Sequence, residues 1–179
     1  MKYVALLRGI NVGGKHPVSM ARLKTTFERL GGTGIVTYIN SGNIIFTADA
    51  TPVPQLAQAL EFAIKHDFGF DVPVVLRTAD QIAELCRRIP AAWTNDTVLR
   101  TDVIFLRDNL SSTEVAARFQ PREFEQALFL EGAFVWHLAR EYATRSTLTK
   151  IISTDIYEHI TIRNVNTVRK LNDLMAAAA

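Results

Sequence analysis

Ile35-Val36-Thr37-Tyr38-Ile39-Asn40-Ser41-Gly42-Asn43-Ile44-Ile45-Phe46-Thr47 decides how the first half of this 179-residue chain folds. Two apolar runs, Ile35–Ile39 and Ile44–Thr47, flank four turn-forming residues, so the segment reads as a β-hairpin. Upstream, Met20, Leu23, Phe27 and Leu30 recur at helical spacing between a Ser19 N-cap and a Gly31-Gly32 stop. Before them, Tyr3–Leu7 has the continuous apolar pattern of a buried strand. Downstream, Pro54 opens a helix carrying Leu56, Leu60, Ala63 and Ile64 that stops near Gly69, and Val72–Leu76 supplies a closing strand. The order β-α-β-β-α-β over residues 3–77 predicts a ferredoxin-like split βαβ unit.

The second half predicts another, smaller α+β unit. Asp80–Arg88 reads as a helix, Asp102–Leu106 as a strand, and Ser112–Phe119 as a short helix capped by Ser111 or Ser112. Ala127–Leu130 and Ala133–His137 flank Glu131-Gly132 as a second hairpin. Ser146–His159 and Asn164–Ala177 read as closing helices, with the Ala176–Ala179 tail expected to fray. No linker-like stretch divides the halves and no internal sequence repeat stands out. The predicted fold class is therefore α+β, with packed subdomains at 1–78 (ferredoxin-like) and 79–179 (with two C-terminal helices).

Hydrophobic residues make up 48% of the chain, enough for a core, and the formal net charge is +2, so no extended nucleic-acid surface is forced by electrostatics. The single cysteine, Cys86, excludes an internal disulfide and falls on the apolar face of its helix, the place of a buried structural thiol. No apolar stretch has the ~20 residues a bilayer span needs, and the amino-terminal run is too short for a signal peptide. A cytoplasmic, soluble protein is expected. The four histidines lack metal-ligand spacing, so no metal is assigned, and neither a cofactor nor a catalytic residue is identified.

Three blocks carry candidate chemistry. The first, Leu6-Leu7-Arg8-Gly9-Ile10-Asn11-Val12-Gly13-Gly14-Lys15, joins the first strand to the first helix. Glycines let backbone N–H groups converge on a ligand, and Arg8 and Lys15 add positive charge, the composition of an anion cradle. Gly9, Gly14 and Lys15 match most of a Walker A pattern. His16 stands where Ser or Thr would hold magnesium, Pro17 and Ser19 delay the helix, and Asp108 is a poor Walker B because Arg107 interrupts its apolar run. A tight structural turn with solvated cations is the competing reading.

The second block, Tyr38–Asn43, offers the Ser41 hydroxyl and the Asn40 and Asn43 amides, though these are equally ordinary hairpin residues. Ser41 has no neighbouring base in sequence that would mark a nucleophile. In the third block, Thr161–Leu171, Ile162, Val165, Val168 and Leu171 form a buried stripe at three-residue spacing, while Arg163, Asn166, Thr167 and Lys170 share another helical face. Asn164 or Asn166 fits a helix cap. The same amides, with Arg163, also suit an anion at a helix start. Tyr3, Phe27, Tyr38 and Phe46 could form an aromatic RNA-binding sheet, but core packing explains them and the RNP signature is absent.

Together the blocks resemble the family called domain of unknown function 1697. Its members carry an opening Y-x-A-L-L-R-G-I-N-V-G-G, a central Y-I-x-S-G-N and a closing T-x-R-N-x-N-T-x-x-K-L. These match Tyr3–Gly14, Tyr38–Asn43 and Thr161–Leu171 here. Asn40 replaces the family's usual glutamine and Val165 its usual tryptophan. Arg145-Ser146-Thr147-Leu148 resembles a family R-S-K-L stretch without the lysine, which Lys150 could replace. The resemblance implies two α+β subdomains, the first ferredoxin-like, and no established reaction.

The expected ligand-binding set is Arg8, Gly9, Asn11, Gly13, Gly14, Lys15, Ser41, Asn43, Arg163, Asn164 and Asn166. Arg8, Asn11, Ser41, Asn43, Arg163 and Asn166 would have to converge, although the end of strand one and the hairpin turn can lie at opposite ends of such a sheet. The expected ligand is a small anionic or phosphorylated molecule, such as a nucleotide. The alternatives are an enzyme acting on a phosphate ester or nucleotide, a nucleic-acid-binding module, and a protein-interaction module. No membrane partner is expected, and the oligomeric state is open.

Overall fold

The computed structural model describes residues 1–14, 16–107 and 109–177. Lys15 and Asp108, both singled out in the sequence, lie outside the described residues, as do Ala178 and Ala179. The chain is mixed α/β, with two four-stranded antiparallel sheets, and it divides into two compact units. The first comprises Met1–Ile82 with Leu171–Ala179, and the second Ala83–Lys170.

The first unit runs β1 (Lys2–Leu7), α1 (Met20–Arg29), β2 (Thr33–Tyr38), β3 (Asn43–Thr47), α2 (Val53–Phe68), β4 (Val74–Thr78) and the start of α3 (Ala79–Arg88). Its sheet order is β2-β3-β1-β4. Tyr3, Ala5 and Leu7 of β1 point to one core shared with Leu23 and Phe27 of α1 and Leu60 and Ile64 of α2. Val4 and Leu6, on the other face, are equally buried, which is why β1 reads as an unbroken apolar run. Each fully buried Leu or Phe contributes about 1.5–3 kcal/mol. Ser19 caps α1, its hydroxyl accepting the Arg22 N–H at 3.4 Å. Gly69, at φ 84°, ends α2 in the left-handed conformation.

The C-terminal ends of α1 and α2 are tied through Asp67. Its carboxylate accepts from Thr26 Oγ1 at 2.6 Å, from His66 Nδ1 at 3.0 Å and from Arg29 Nη2 at 2.8 Å. The Thr26 hydroxyl, then His66, then Arg29 hold the carboxyl well below the usual carboxylate range. A depressed folded pKa stabilises the fold above the unfolded value, near 3.9, and that stabilisation disappears as pH falls further. Urea melts should therefore show wild type more stable than Asp67→Asn at pH 7, with the gap narrowing steadily from pH 4 to pH 2.

The second unit contains the remainder of α3, β5 (Leu99–Leu106), α4 (Ser112–Arg118), β6 (Glu125–Leu130), β7 (Ala133–Ala139), α5 (Leu148–Ile151), β8 (Ile160–Asn164) and the start of α6 (Val165–Ala177). Two 3-10 turns, Arg140–Arg145 and Asp155–His159, flank α5. Ser111 forms a capping box with Glu114 at the start of α4. Cys86 is half-buried rather than fully buried, its Sγ 3.9 Å from Val168 O.

The sequence reading goes wrong between Ser146 and Asn164. No long helix forms there. The Thr149, Ser153 and Thr154 hydroxyls donate to the carbonyls of Ser146, Lys150 and Ile151, local bonds that compete with helix propagation. The β-branched run Ile160-Thr161-Ile162 then enters the sheet as β8, pairing with β5. Ile162 therefore belongs to a strand, and the helical stripe begins at Val165.

The second sheet has the order β6-β7-β5-β8, the same arrangement as the first. Individual bonds repeat with it. Leu7 N donates to Gly42 O at 2.8 Å and Leu106 N to Gly132 O at 2.9 Å. Arg8 N donates to Pro73 O at 3.0 Å and Arg107 N to His159 O at 2.9 Å. A buried arginine of the fourth strand lies opposite a valine of the central strand in each unit, Arg77 with Val4 and Arg163 with Val103. The units are thus a structural repeat. It is hidden in sequence because few identities recur, among them a valine, a Leu-Arg pair, a turn glycine and one strand arginine.

Candidate functional site

In the first unit, Leu6 of β1 pairs with Asn43 of β3, so the antiparallel register sets the end of β1 beside the hairpin turn. The first two motif blocks therefore meet at the same end of the sheet. Between Arg8 and Ser19 the backbone takes positive φ at Gly9, Asn11, Gly13, Gly14 and His16. The loop is closed by Asn11 N donating to His16 O at 3.1 Å. His16 Nδ1 donates to Gly9 O at 3.3 Å, which fixes its tautomer, and the ring stacks on Phe70 at 4.5 Å.

Asn11 is the organising side chain. Its Oδ1 accepts from Val18 N at 2.8 Å, and its Nδ2 donates to Val18 O at 3.1 Å and to Asn40 O at 2.9 Å. Asparagine tolerates the left-handed φ of 53° found here, so one residue supplies both the bend and the staple. Asn43, fully buried, donates to Tyr38 O at 3.0 Å and to Ser41 Oγ at 3.2 Å, closing the hairpin turn from within. The side-chain amides of Asn11 and Asn43 thus hold the two loops in shape. Ile39 carries a φ of 51° while half exposed, an unusual conformation for a β-branched residue and a local strain on the same turn.

These loops frame an open cleft of about 500 Å³ lined by Asn11, Gly14, Pro17, Val18, Ser19, Met20 and Asn40. The start of α1 forms one wall, and its first turn carries no acidic residue. Arg8 is half-buried at the end of β1, where the glycine loop begins. Pro17, Val18 and Met20 give the cleft an apolar side that the sequence reading did not anticipate. The available signal was the asparagine within the glycine loop, whose side chain draws Val18 inward.

The polar residues of the third block, Arg163, Asn164 and Asn166, lie in the second unit, among its own partners. Arg163 lies on β8 rather than on a helix. Its Nη1 donates to Thr161 Oγ1 at 2.9 Å and Ile162 O at 2.8 Å. Burial pulls its pKa down to about 10, so it keeps its charge at neutral pH. Asn164 Oδ1 accepts Thr167 N at 2.9 Å, the cap expected at the start of α6. Asn166 Nδ2 donates to Asn95 O at 2.7 Å and ties the first turn of α6 to the loop before β5.

Among the described residues, no group of three or more His, Cys, Asp or Glu side chains is placed to hold a metal ion. No helix among them is long and apolar enough to cross a membrane.

The profile of the family described as Protein of unknown function (DUF1697) matches residues 1–136. The chain belongs to this family. Among solved structures, this DUF1697 chain is similar to the conserved bacterial protein SP0830 from Streptococcus pneumoniae. The two are 31% identical with a TM-score of 0.83, over 97% of this chain and 98% of that one. No curated protein matches the chain.

Proposed function

We propose that this DUF1697 protein is a cytoplasmic binding protein for a small anionic or phosphorylated ligand, held in the cleft between the glycine loop and the hairpin turn. The observation that carries the reading is the cleft itself. Its loop is fixed by all three hydrogen bonds of the Asn11 amide and its wall is the acid-free start of α1. Anions are stabilised at such helix starts by the backbone N–H groups and the dipole. In this reading Gly14 meets the ligand from the cleft wall, Arg8, Gly9, Gly13 and Lys15 are proposed as further ligand contacts, and Asn11, Ser41 and Asn43 form the frame. The β-α-β-β-α-β order and the sheet order β2-β3-β1-β4 support the ferredoxin-like assignment for the first unit.

Thermal-shift titration tests this with inorganic phosphate, adenosine monophosphate and a sugar phosphate, on wild type, Arg8→Ala and Lys15→Ala. A ligand at 100 times its dissociation constant stabilises the native state by about 2.7 kcal/mol, an effect that both variants should lose. No shift in folded wild type with any of the three would reduce the glycine loop to a structural turn.

A further inference from the structure

The second unit contains a smaller pocket of about 170 Å³ that lies apart from the three motif blocks' polar groups. Its walls are mainly apolar: Leu138 from β7, Ala143 from the 3-10 turn after it, Leu148 and Ile151 from α5, and Ile162 from β8. One cation stands among them. Arg100 of β5 lines the pocket, opposite Leu138 in the sheet register.

Arg100 is held from behind. Its Nε donates to Asp102 Oδ2 at 2.6 Å, and the Asp102 side chain is only 10% exposed. Among the described residues its two Nη nitrogens have no protein acceptor. A guanidinium has five N–H donors in a rigid fork, so one bond to Asp102 fixes its orientation and leaves four donors for a guest. The wall beside it is rigid as well. Ser146 and Thr147, which lead into α5, are anchored on the buried Glu125 carboxylate by bonds of 2.6 and 2.8 Å.

An oriented, partly exposed guanidinium beside a mostly apolar recess, to which Ser146, Thr149 and Tyr157 add polar atoms, matches a planar carboxylate attached to an apolar body. The volume sets the size of that body, because a cavity of about 150 Å³ accommodates a benzene ring. We propose that this pocket binds a small carboxylic acid with a compact, ring-sized apolar body. Its carboxylate sits on the Arg100 Nη edge, and its body packs against Leu148, Ile151 and Ile162. Asp102 already offsets the charge of Arg100, so a bare anion gains little there. Affinity requires both halves of the ligand.

Methyl-resolved NMR titration of the full chain tests this with three probes: sodium benzoate, benzyl alcohol and sodium phosphate. Benzoate should shift the Leu138, Leu148 and Ile151 methyl signals saturably. Benzyl alcohol should bind at least tenfold more weakly, and phosphate should leave those methyls unmoved. Arg100→Gln should weaken benzoate at least tenfold. Ala143→Phe fills the recess, keeps the Arg100–Asp102 pair and should abolish benzoate binding. The two neutral-versus-charged probes and Ala143→Phe decide the matter even if loss of Arg100 unfolds the unit. Unmoved methyls with benzoate, equal affinity for benzyl alcohol, or undiminished benzoate binding by Ala143→Phe would each overturn the proposal.

Discussion

Gly42→Ala is expected to destabilise the protein by about 3 kcal/mol, through two costs that add. Gly42 has a φ of 80°, where an L-residue costs about 1–2 kcal/mol. An added Cβ would also stand 2.7 Å from Leu7 Cβ and 2.8 Å from Ile10 Cδ1, atoms of side chains that are themselves buried. Overpacking of that kind costs roughly 1–3 kcal/mol. The backbone cannot swing away freely, because Gly42 O accepts the Leu7 N–H. Gly13→Ala is the control. Its φ of 59° carries the same conformational cost, but an added Cβ there would meet nothing within 4 Å. Urea denaturation should give a midpoint loss for Gly42→Ala at least twice that for Gly13→Ala, at constant m. Equal losses would mean that Leu7 and Ile10 do not press on the turn.

Glu125→Gln should cost about 3 kcal/mol despite its near-identical shape, since buried bonds to a charged acceptor are worth roughly 1.5–3 kcal/mol each. Glu125 Oε1 accepts from Ser146 Oγ at 2.6 Å, Thr147 N at 2.8 Å and Trp136 Nε1 at 3.0 Å, and Oε2 accepts from Arg122 N at 2.9 Å. A glutamine offers one acceptor oxygen and sets an NH₂ group against at least one of these donors. Burial by itself would raise the Glu125 carboxyl, but the Ser146 hydroxyl, the Arg122 amide, Trp136 and Thr147 outweigh it and leave it below its ordinary value. The stabilisation is therefore present above the unfolded value, near 4.3, and is lost as pH falls through the folded one. Unfolding followed at pH 7 and pH 3 should show the wild-type advantage over Glu125→Gln shrinking in acid. A constant gap would indicate that the carboxylate charge is not what the four donors recognise.

Most of the first unit was legible because local signals and burial agree there. Ser19 caps α1 as expected, Gly69 stops α2, and the hairpin forms around Asn40-Ser41-Gly42-Asn43. The closing strand shifted to Val74–Thr78, since Val74 N is held by Glu61 Oε1 and the charged Arg77 is drawn into the sheet. Charge misled again in the second unit, where β6 begins at Glu125 itself. A carboxylate with four internal donors can occupy a position that sequence reading reserves for apolar residues. The strand β8 was missed for a different reason. Three-residue spacing linked Ile162 to Val165 across a boundary that only the pairing of Asp102–Leu106 with Ile160–Asn164 reveals.

At the candidate cleft, the sequence singles out the two loops that frame it and expects their asparagines to bind a ligand. Asn11 and Asn43 are spent on the scaffold, because a glycine-rich loop and a tight turn leave backbone groups that only a nearby amide can satisfy. Arg163 and Asn164 are likewise engaged with neighbours a few residues away, and Asn166 with Asn95 in the loop before β5. The motif side chains therefore carry fold information.

The first unit includes Leu171–Ala179, and Lys2 Nζ donates to Met175 O at 2.8 Å, joining the opening strand to the closing helix. On the ribosome the helical residues 171–177 emerge only after the whole stretch from 83 to 170 has been made, a delay on the order of ten seconds at ordinary elongation rates. Throughout that interval the nascent first unit waits without its last segment, exposed to chaperones and proteases. A premature stop codon anywhere in the second unit consequently harms the first as well, and the two halves must be inherited, translated and folded as one.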